Sequence, residues 1–192
     1  MGSAVFKDCY KNHPSFIRLE ELLAGSGREP VVINGLTGSS RAIVMAGALT
    51  EQPTTHLVIL PEKEDAAYFY NDLTSLLGDD NIFFFPSSYK RSVMYEQTEP
   101  ANIILRTEVL NFLSSGRRKC IIVTFPESVM EKVISKTNLT KNTFVIQKGA
   151  KLSIEFLEEV LREYNFKRTD FVYEPGQYSI RGSITDLFSF AE

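Results

Sequence analysis

The sequence predicts an α/β protein in which a parallel sheet carries helices on both faces and a small α+β domain follows. Three observations lead there. Short, uniformly apolar runs recur at Val31-Val32-Ile33, Leu57-Val58-Ile59-Leu60, Ile82-Phe83-Phe84-Phe85 and Cys120-Ile121-Ile122-Val123. Helical spacing of apolar residues fills the stretches between them, and alternating strands and helices imply right-handed βαβ units. Near residue 135 this texture gives way to a polar stretch and then to short strand-like segments.

The apolar runs do not alternate with polar residues, which is the pattern of strands covered on both faces. Three of them run into Pro61, Pro86 and Pro126, and proline ends a strand because it lacks a donor and fixes φ. Pro61 and Pro126 also suit the first turn of a following helix. The first helix is expected to begin at Ser15, with Phe16, Leu19, Leu22 and Leu23 facing inward. Ala66, Phe69, Tyr70, Leu73, Leu76 and Leu77 mark another, with Gly78 at its C-cap. Ile103, Ile104, Thr107, Leu110 and Leu113 mark a third, closed by Gly116. Ser135–Asn142 reads as a linker. A strand (Phe144–Gln147) and a helix from Ser153 follow, the helix burying Phe156, Leu157, Val160 and Leu161. Two further strand-like segments, Phe166–Tyr173 and Gln177–Phe188, flank a Pro175-Gly176 turn and predict antiparallel pairing. The domain division falls at residues 1–138 and 139–192.

Composition excludes several classes. The 192 residues are 43% hydrophobic and 23% charged, with 21 Lys+Arg against 24 Asp+Glu and a net charge of -3. That is the balance of a globular chain and not of a generally basic nucleic-acid binder. No apolar run reaches the roughly 18 residues of a membrane span. Met1–Asp8 lacks the pattern of a signal peptide. Cys9 and Cys120 give no disulfide framework, so a cytoplasmic location is expected. The two cysteines and His13 and His56 stand at unrelated spacings, so no metal site is expected.

Ile33-Asn34-Gly35-Leu36-Thr37-Gly38-Ser39-Ser40-Arg41-Ala42 lies where the first strand turns into a helix, the place of a phosphate-binding P-loop, G-x-x-x-x-G-K-[ST]. That chemistry needs wrapping backbone amides, a lysine for the β/γ oxygens and a hydroxyl for Mg²⁺. Gly35 supplies the first glycine, but Ser40 stands in the second glycine's place, Arg41 in the lysine's and Ala42 in the hydroxyl's. A methyl group cannot ligate Mg²⁺, and Arg41 is no compact ammonium. The loop is read as degenerate, keeping a structural role, and no cofactor is expected.

A second segment makes that loop informative: Tyr173-Glu174-Pro175-Gly176-Gln177-Tyr178-Ser179-Ile180-Arg181-Gly182-Ser183-Ile184-Thr185-Asp186-Leu187-Phe188. It resembles the E-x-G-x-[YF]-x-x-R-G-x-[IL]-x-D-[IL]-F signature of the UvrB-like module, shared by UvrB excision-repair helicases and bacterial transcription-repair coupling factors (Mfd). Gly35-Leu36-Thr37-Gly38-Ser39 likewise resembles the start of that family's P-loop. The resemblance covers about Ser15 to Phe188 and implies a P-loop-like sheet of degenerate helicase type. Two departures favour the coupling-factor branch. The loop is degenerate, and Pro86–Pro100, with Tyr89 and Tyr95 as its aromatics, is too short for the DNA-inserting hairpin of UvrB.

What this resemblance implies is a non-catalytic recruitment fragment whose small second domain docks onto the damage-recognition protein UvrA. Arg181 is then part of the docking surface, and Tyr178 is counted with it. A guanidinium suits that role because it pairs bidentately with carboxylates. Lys167-Arg168, with Arg162, either extend a basic rim beside Arg181 or are a solvated helix end and strand edge. The competing reading has Arg181 pairing locally with Asp186 or Asp170. The resemblance also implies a further docking strand after Glu192, and in the full-length protein an RNA polymerase-binding domain and a double-stranded-DNA translocase. The alternative function is an ATP-dependent UvrB-type helicase or another P-loop NTPase.

Other residues read more simply. Arg117-Arg118-Lys119 follows a helix C-terminus, where cations are favoured. Glu62-Lys63-Glu64-Asp65 is an acidic first helical turn rather than a catalytic carboxylate pair. His13 and His56 have no nucleophile at a recognisable spacing. Cys120 is expected to be buried and inert, and Phe83–Phe85 to lie in the core.

Overall fold

The computed structural model describes residues 9–25, 30–50, 52–78, 80–89, 99–117, 119–135, 144–149 and 151–190. In chain order the elements are α1 (Pro14–Ala24), α2 (Ser40–Thr50), β1 (Thr55–Ile59), α3 (Lys63–Leu77), β2 (Ile82–Phe85), α4 (Pro100–Ser114), β3 (Cys120–Thr124), α5 (Pro126–Met130), α6 (Ile154–Glu163), β4 (Lys167–Arg168), β5 (Gln177–Arg181) and β6 (Ile184–Phe188). The chain divides into two units, residues 1–86 with 115–130, and residues 87–114 with 131–192. The sequence-based boundary at 138/139 lies outside the described residues.

The first unit is built on a three-stranded parallel sheet in the order β1-β3-β2. Every residue of the central β3 is buried, as its uninterrupted apolar run requires. Thr124 is fully buried too, and its hydroxyl donates to the Phe85 carbonyl at 2.7 Å, so the one polar side chain in the run is satisfied. Ile121 and Val123 pack against Ala42, Ala46 and Leu49 of α2 and Ala66, Phe69 and Leu73 of α3. Those three α3 residues are the face its spacing predicted. Gly78 ends that helix at φ 86, donating to the Thr74 carbonyl at 2.8 Å. Pro126 opens α5 as expected.

Three expectations fail in this unit. Val31-Val32-Ile33 forms no strand; Val32 is 78% exposed. An apolar run signals burial but cannot supply a ladder partner, and no strand among the described residues pairs with this one. β1 is covered on one face only: His56 and Val58, on the side packed by α2 and α3, are half-buried, whereas Leu57 and Ile59 are exposed. In α1, Phe16 and Leu19 are buried but Leu22 is exposed. Gly47 of α2 is closely approached by Phe16 of α1 and by Tyr10 ahead of it: an added Cβ would lie 3.2 Å from the Phe16 ring and 2.7 Å from the Tyr10 hydroxyl, itself donating to the Ile43 carbonyl at 2.6 Å.

In the second unit α4 contains the predicted stripe from Ile103 to Leu113, but its buried face is Arg106, Val109 and Phe112 and not the Ile103/Thr107/Leu110 stripe. The charge decides this. Arg106 Nε reaches Glu131 at 3.5 Å with both side chains largely buried, and the Glu131 carboxylate also accepts from Ser88 N–H at 2.9 Å, Ser87 Oγ at 3.1 Å and Ser88 Oγ. Burial lowers the Arg106 pKa, and the Glu131 charge opposes that shift.

Helix α6 begins where Ser153 predicted: its hydroxyl accepts the Phe156 N–H at 3.1 Å. Leu157 and Leu161 face inward, while Phe156 is 47% exposed. The adjoining sheet has the order β4-β5-β6, mixed and not wholly antiparallel. Only Lys167–Arg168 of the predicted Phe166–Tyr173 strand pairs, and it runs parallel to β5. Gln177–Phe188 is two strands, not one: β5 and β6 form an antiparallel hairpin around Gly182-Ser183, with Gly182 at φ 63. Phe144–Gln147 forms no strand; Phe144 instead sets its ring edge-on to Phe156 at 6.0 Å.

Candidate protein-docking site and candidate phosphate loop

The loop before α2 keeps the backbone of its glycines, with Gly35 at φ 84 and Gly38 at φ 53. Three of its amides, those of Thr37, Ser40 and Arg41, bond within the segment. The Thr37 N–H donates to Ser40 Oγ at 2.8 Å, and that hydroxyl donates back to the Thr37 carbonyl at 2.6 Å. Ser40 N–H and Arg41 N–H bond the carbonyls of Thr37 and Gly38. Ala42 is fully buried in the α2–α3 core, so the position a Mg²⁺-holding hydroxyl would occupy packs apolar surface. Ser39 and Arg41 are exposed.

The second signature folds into the β4-β5-β6 sheet. Cross-strand pairing places Gln177 opposite Phe188, Ser179 opposite Asp186 and Arg181 opposite Ile184, and these share one face. Tyr178 and Ile180 point the other way and pack on Leu157 and Leu161. Tyr178 is 1% exposed, so its ring supports the sheet from beneath and does not reach the surface where the sequence placed it.

Arg181 is half exposed. Its guanidinium donates to the Asp186 carboxylate, the local pairing weighed from sequence, and its Cζ lies 5.7 Å from the centroid of the Phe171 ring. The strip carrying Phe171 is held along β5: Thr169 N–H donates to the Tyr178 carbonyl at 2.9 Å, and Ser179 Oγ donates to the Asp170 carbonyl at 2.9 Å. Gln177 Oε1 accepts the Tyr173 and Glu174 amides, which shapes the approach to the Pro175-Gly176 turn. Gly176 sits at φ 81 with the Phe190 ring where a Cβ would go. Arg168, Asp170, Phe171, Ser179 and Arg181, among others, line a depression of about 530 Å³.

The basic rim is only partly free. Glu158 gathers Arg162 at 2.8 Å and Arg168 at 3.0 Å, with Tyr178 Oη at a long 3.4 Å. Lys167 is exposed on β4. Sequence reasoning missed Phe171 and Glu158, because their roles depend on how the 169–173 strip and α6 fold against β5 and no spacing encodes that.

The remaining candidates take structural places. His13 Nδ1 accepts the Ser15 N–H at 3.2 Å and caps α1. His56 faces the α2–α3 side of its sheet, and burial lowers its pKa. Burial pushes the Cys120 thiol up, a contact with Thr55 Oγ1 opposing it. Glu64 and Asp65 lie in the first turn of α3. Arg117 and Lys119 are exposed, whereas Arg118 and most of Pro86–Pro100, Tyr95 included, lie outside the described residues. Among the described residues no three His, Cys, Asp or Glu side chains gather as a metal site would require, and no helix is long and apolar enough to cross a membrane.

Arg181 is thus presented to solvent at the end of β5, held by Asp186 and the Phe171 ring. Residues 144–192 match the family model of the UvrB interaction domain. Beyond that segment, similarity runs through most of the chain. The transcription-repair-coupling factor of Bacillus subtilis is 28% identical over 163 residues, which is 84% of this chain and 14% of the relative. That of Rickettsia bellii is 27% identical over 68% of the chain and 12% of its own length. The UvrABC system protein B of Natronomonas pharaonis is 25% identical over 88% of the chain and 27% of its own length. These similarities support an N-terminal UvrB-like module of the transcription-repair-coupling-factor type. The chain spans about a seventh of the length of those coupling factors.

Proposed function

We propose that this chain is a non-catalytic docking module that recruits UvrA in transcription-coupled nucleotide excision repair. The observation that carries the proposal is the presentation of Arg181 on the outer face of the β5–β6 hairpin, within the segment that matches the UvrB interaction domain. Lys167 lies on the neighbouring β4 in register with Gln177 and adds positive charge, whereas Arg168 is paired with Glu158 of α6; Tyr178 fixes the hairpin from below. The module needs no nucleotide, metal or other cofactor. RNA polymerase and double-stranded DNA are partners of the full-length protein through other domains, and the setting is the cytoplasm.

Two features of the loop support a non-catalytic reading over an ATP-dependent helicase. The Thr37 amide is committed to Ser40, and Ala42 has neither a ligand atom nor access to solvent. Incubating the chain with ATP and Mg²⁺ should release phosphate no faster than a blank; Mg²⁺-dependent hydrolysis above it would overturn the non-catalytic half. A pull-down on immobilised UvrA should retain the chain, and failure to retain it would overturn the docking half.

A further inference from the structure

An exposed arginine is a weak anchor when its side chain wanders, because binding must then freeze several rotors. Arg181 is held on two sides, by the Asp186 carboxylate and by the Phe171 ring. The ring is 59% exposed, so hydrophobic burial does not account for its position. It sits instead on a strip pinned to β5 by the Thr169 and Ser179 hydrogen bonds, with Tyr173 tilted against it at 6.3 Å. A guanidinium over an aromatic face keeps its in-plane N–H donors directed sideways, where a second carboxylate can accept them.

We propose that Phe171 is a positioning residue for Arg181: its ring pre-orients the guanidinium so that the donors not used by Asp186 face a carboxylate-bearing partner. This rests on the docking reading above. Phe171 acts through Arg181, so its contribution must vanish when the guanidinium is absent. Neither residue lies in the buried cluster of Leu157, Leu161 and Tyr178, so substitution leaves the domain folded, which thermal unfolding verifies.

The test is a double-mutant cycle with purified UvrA as the probe, using wild type, Phe171→Ala, Phe171→Tyr, Arg181→Ala and the Phe171→Ala/Arg181→Ala double variant. Phe171→Ala is expected to weaken binding roughly two- to fivefold, as an exposed cation–π contact allows. Phe171→Tyr should restore it, and the double variant should bind no worse than Arg181→Ala. An equal loss in both backgrounds, or no loss in either, overturns the proposal. A second measurement needs no partner: the ¹⁵N relaxation of Arg181 Nε in wild type, Phe171→Ala and Phe171→Tyr. Ordering lost with alanine and kept with tyrosine supports the proposal, and identical relaxation in all three overturns it. Failure of wild type to bind UvrA removes the docking reading, and the relaxation result then decides the positioning claim by itself.

Discussion

Replacing Glu131 by alanine should destabilise the second unit far more than its place just after a short helix suggests. The carboxylate accepts three hydrogen bonds from Ser87 and Ser88 and faces Arg106, whose side chain is 7% exposed against 15% for Glu131. Removing one partner of a buried pair takes the compensating charge from the other, at a cost of up to about 3–5 kcal/mol. The lost hydrogen bonds act in the same direction, since the donors at Ser87 and Ser88 must find water. Because burial already lowers the Arg106 pKa and Glu131 opposes it, the variant also takes away the charge that favours a protonated guanidinium. Glu131→Gln keeps an acceptor but no charge, and should fall between wild type and alanine. Urea unfolding, read with hydrogen exchange at the amides of α4, measures both. A loss below about 1 kcal/mol for the alanine variant would refute the reasoning and mean that Arg106 is well solvated or held by other groups.

Three further outcomes are expected. Ser153→Ala removes the α6 N-cap and should cost about 1 kcal/mol in thermal unfolding, whereas Ser153→Asp should cost little. Gly176→Ala combines φ 81 with a Cβ placed against the Phe190 ring, so it should destabilise by more than the roughly 1 kcal/mol of backbone strain alone; a neutral result would show that the turn relaxes freely. Stability should also depend on pH through His56. Its folded pKa lies below that of the unfolded chain, so the unfolded state takes up the proton first, and stability falls as pH drops below about 6.5. In His56→Gln that part of the acid slope should disappear.

Much of the fold was legible because packing speaks through periodicity. The Ala66/Phe69/Leu73 stripe and the Ser153 cap were both readable, since each reports a contact made within one helix or against one face. Sheet partnership was not. Val31–Ile33 and Phe144–Gln147 have the composition of strands, yet a ladder needs a second chain segment at the right height, and neither has one among the described residues. The β5–β6 hairpin hid within a single predicted strand because Gly182-Ser183 is a two-residue turn with few residues to betray it. In α4 the apolar pattern misplaced the buried face because a charged residue occupies it, which pattern reading assigns to solvent until its partner Glu131 is seen. At the site, Arg181 stood out through its motif and Asp186 was the local partner anticipated for it. Phe171 was hidden: its position depends on the 169–173 strip bonding to β5, a tertiary fact.

The most direct test of the central claim is the affinity of UvrA for wild type and for Arg181→Glu, measured by titration under identical salt. Reversing the charge of a half-exposed arginine that contacts a carboxylate should weaken binding at least about tenfold, since like charges then face each other across the interface. The melting temperature should stay near that of wild type, because the lost Arg181–Asp186 pair is solvent-exposed and contributes little to stability. Weakened binding with an intact fold is the predicted result. An affinity unchanged by Arg181→Glu would contradict the account and remove this hairpin face from the docking surface.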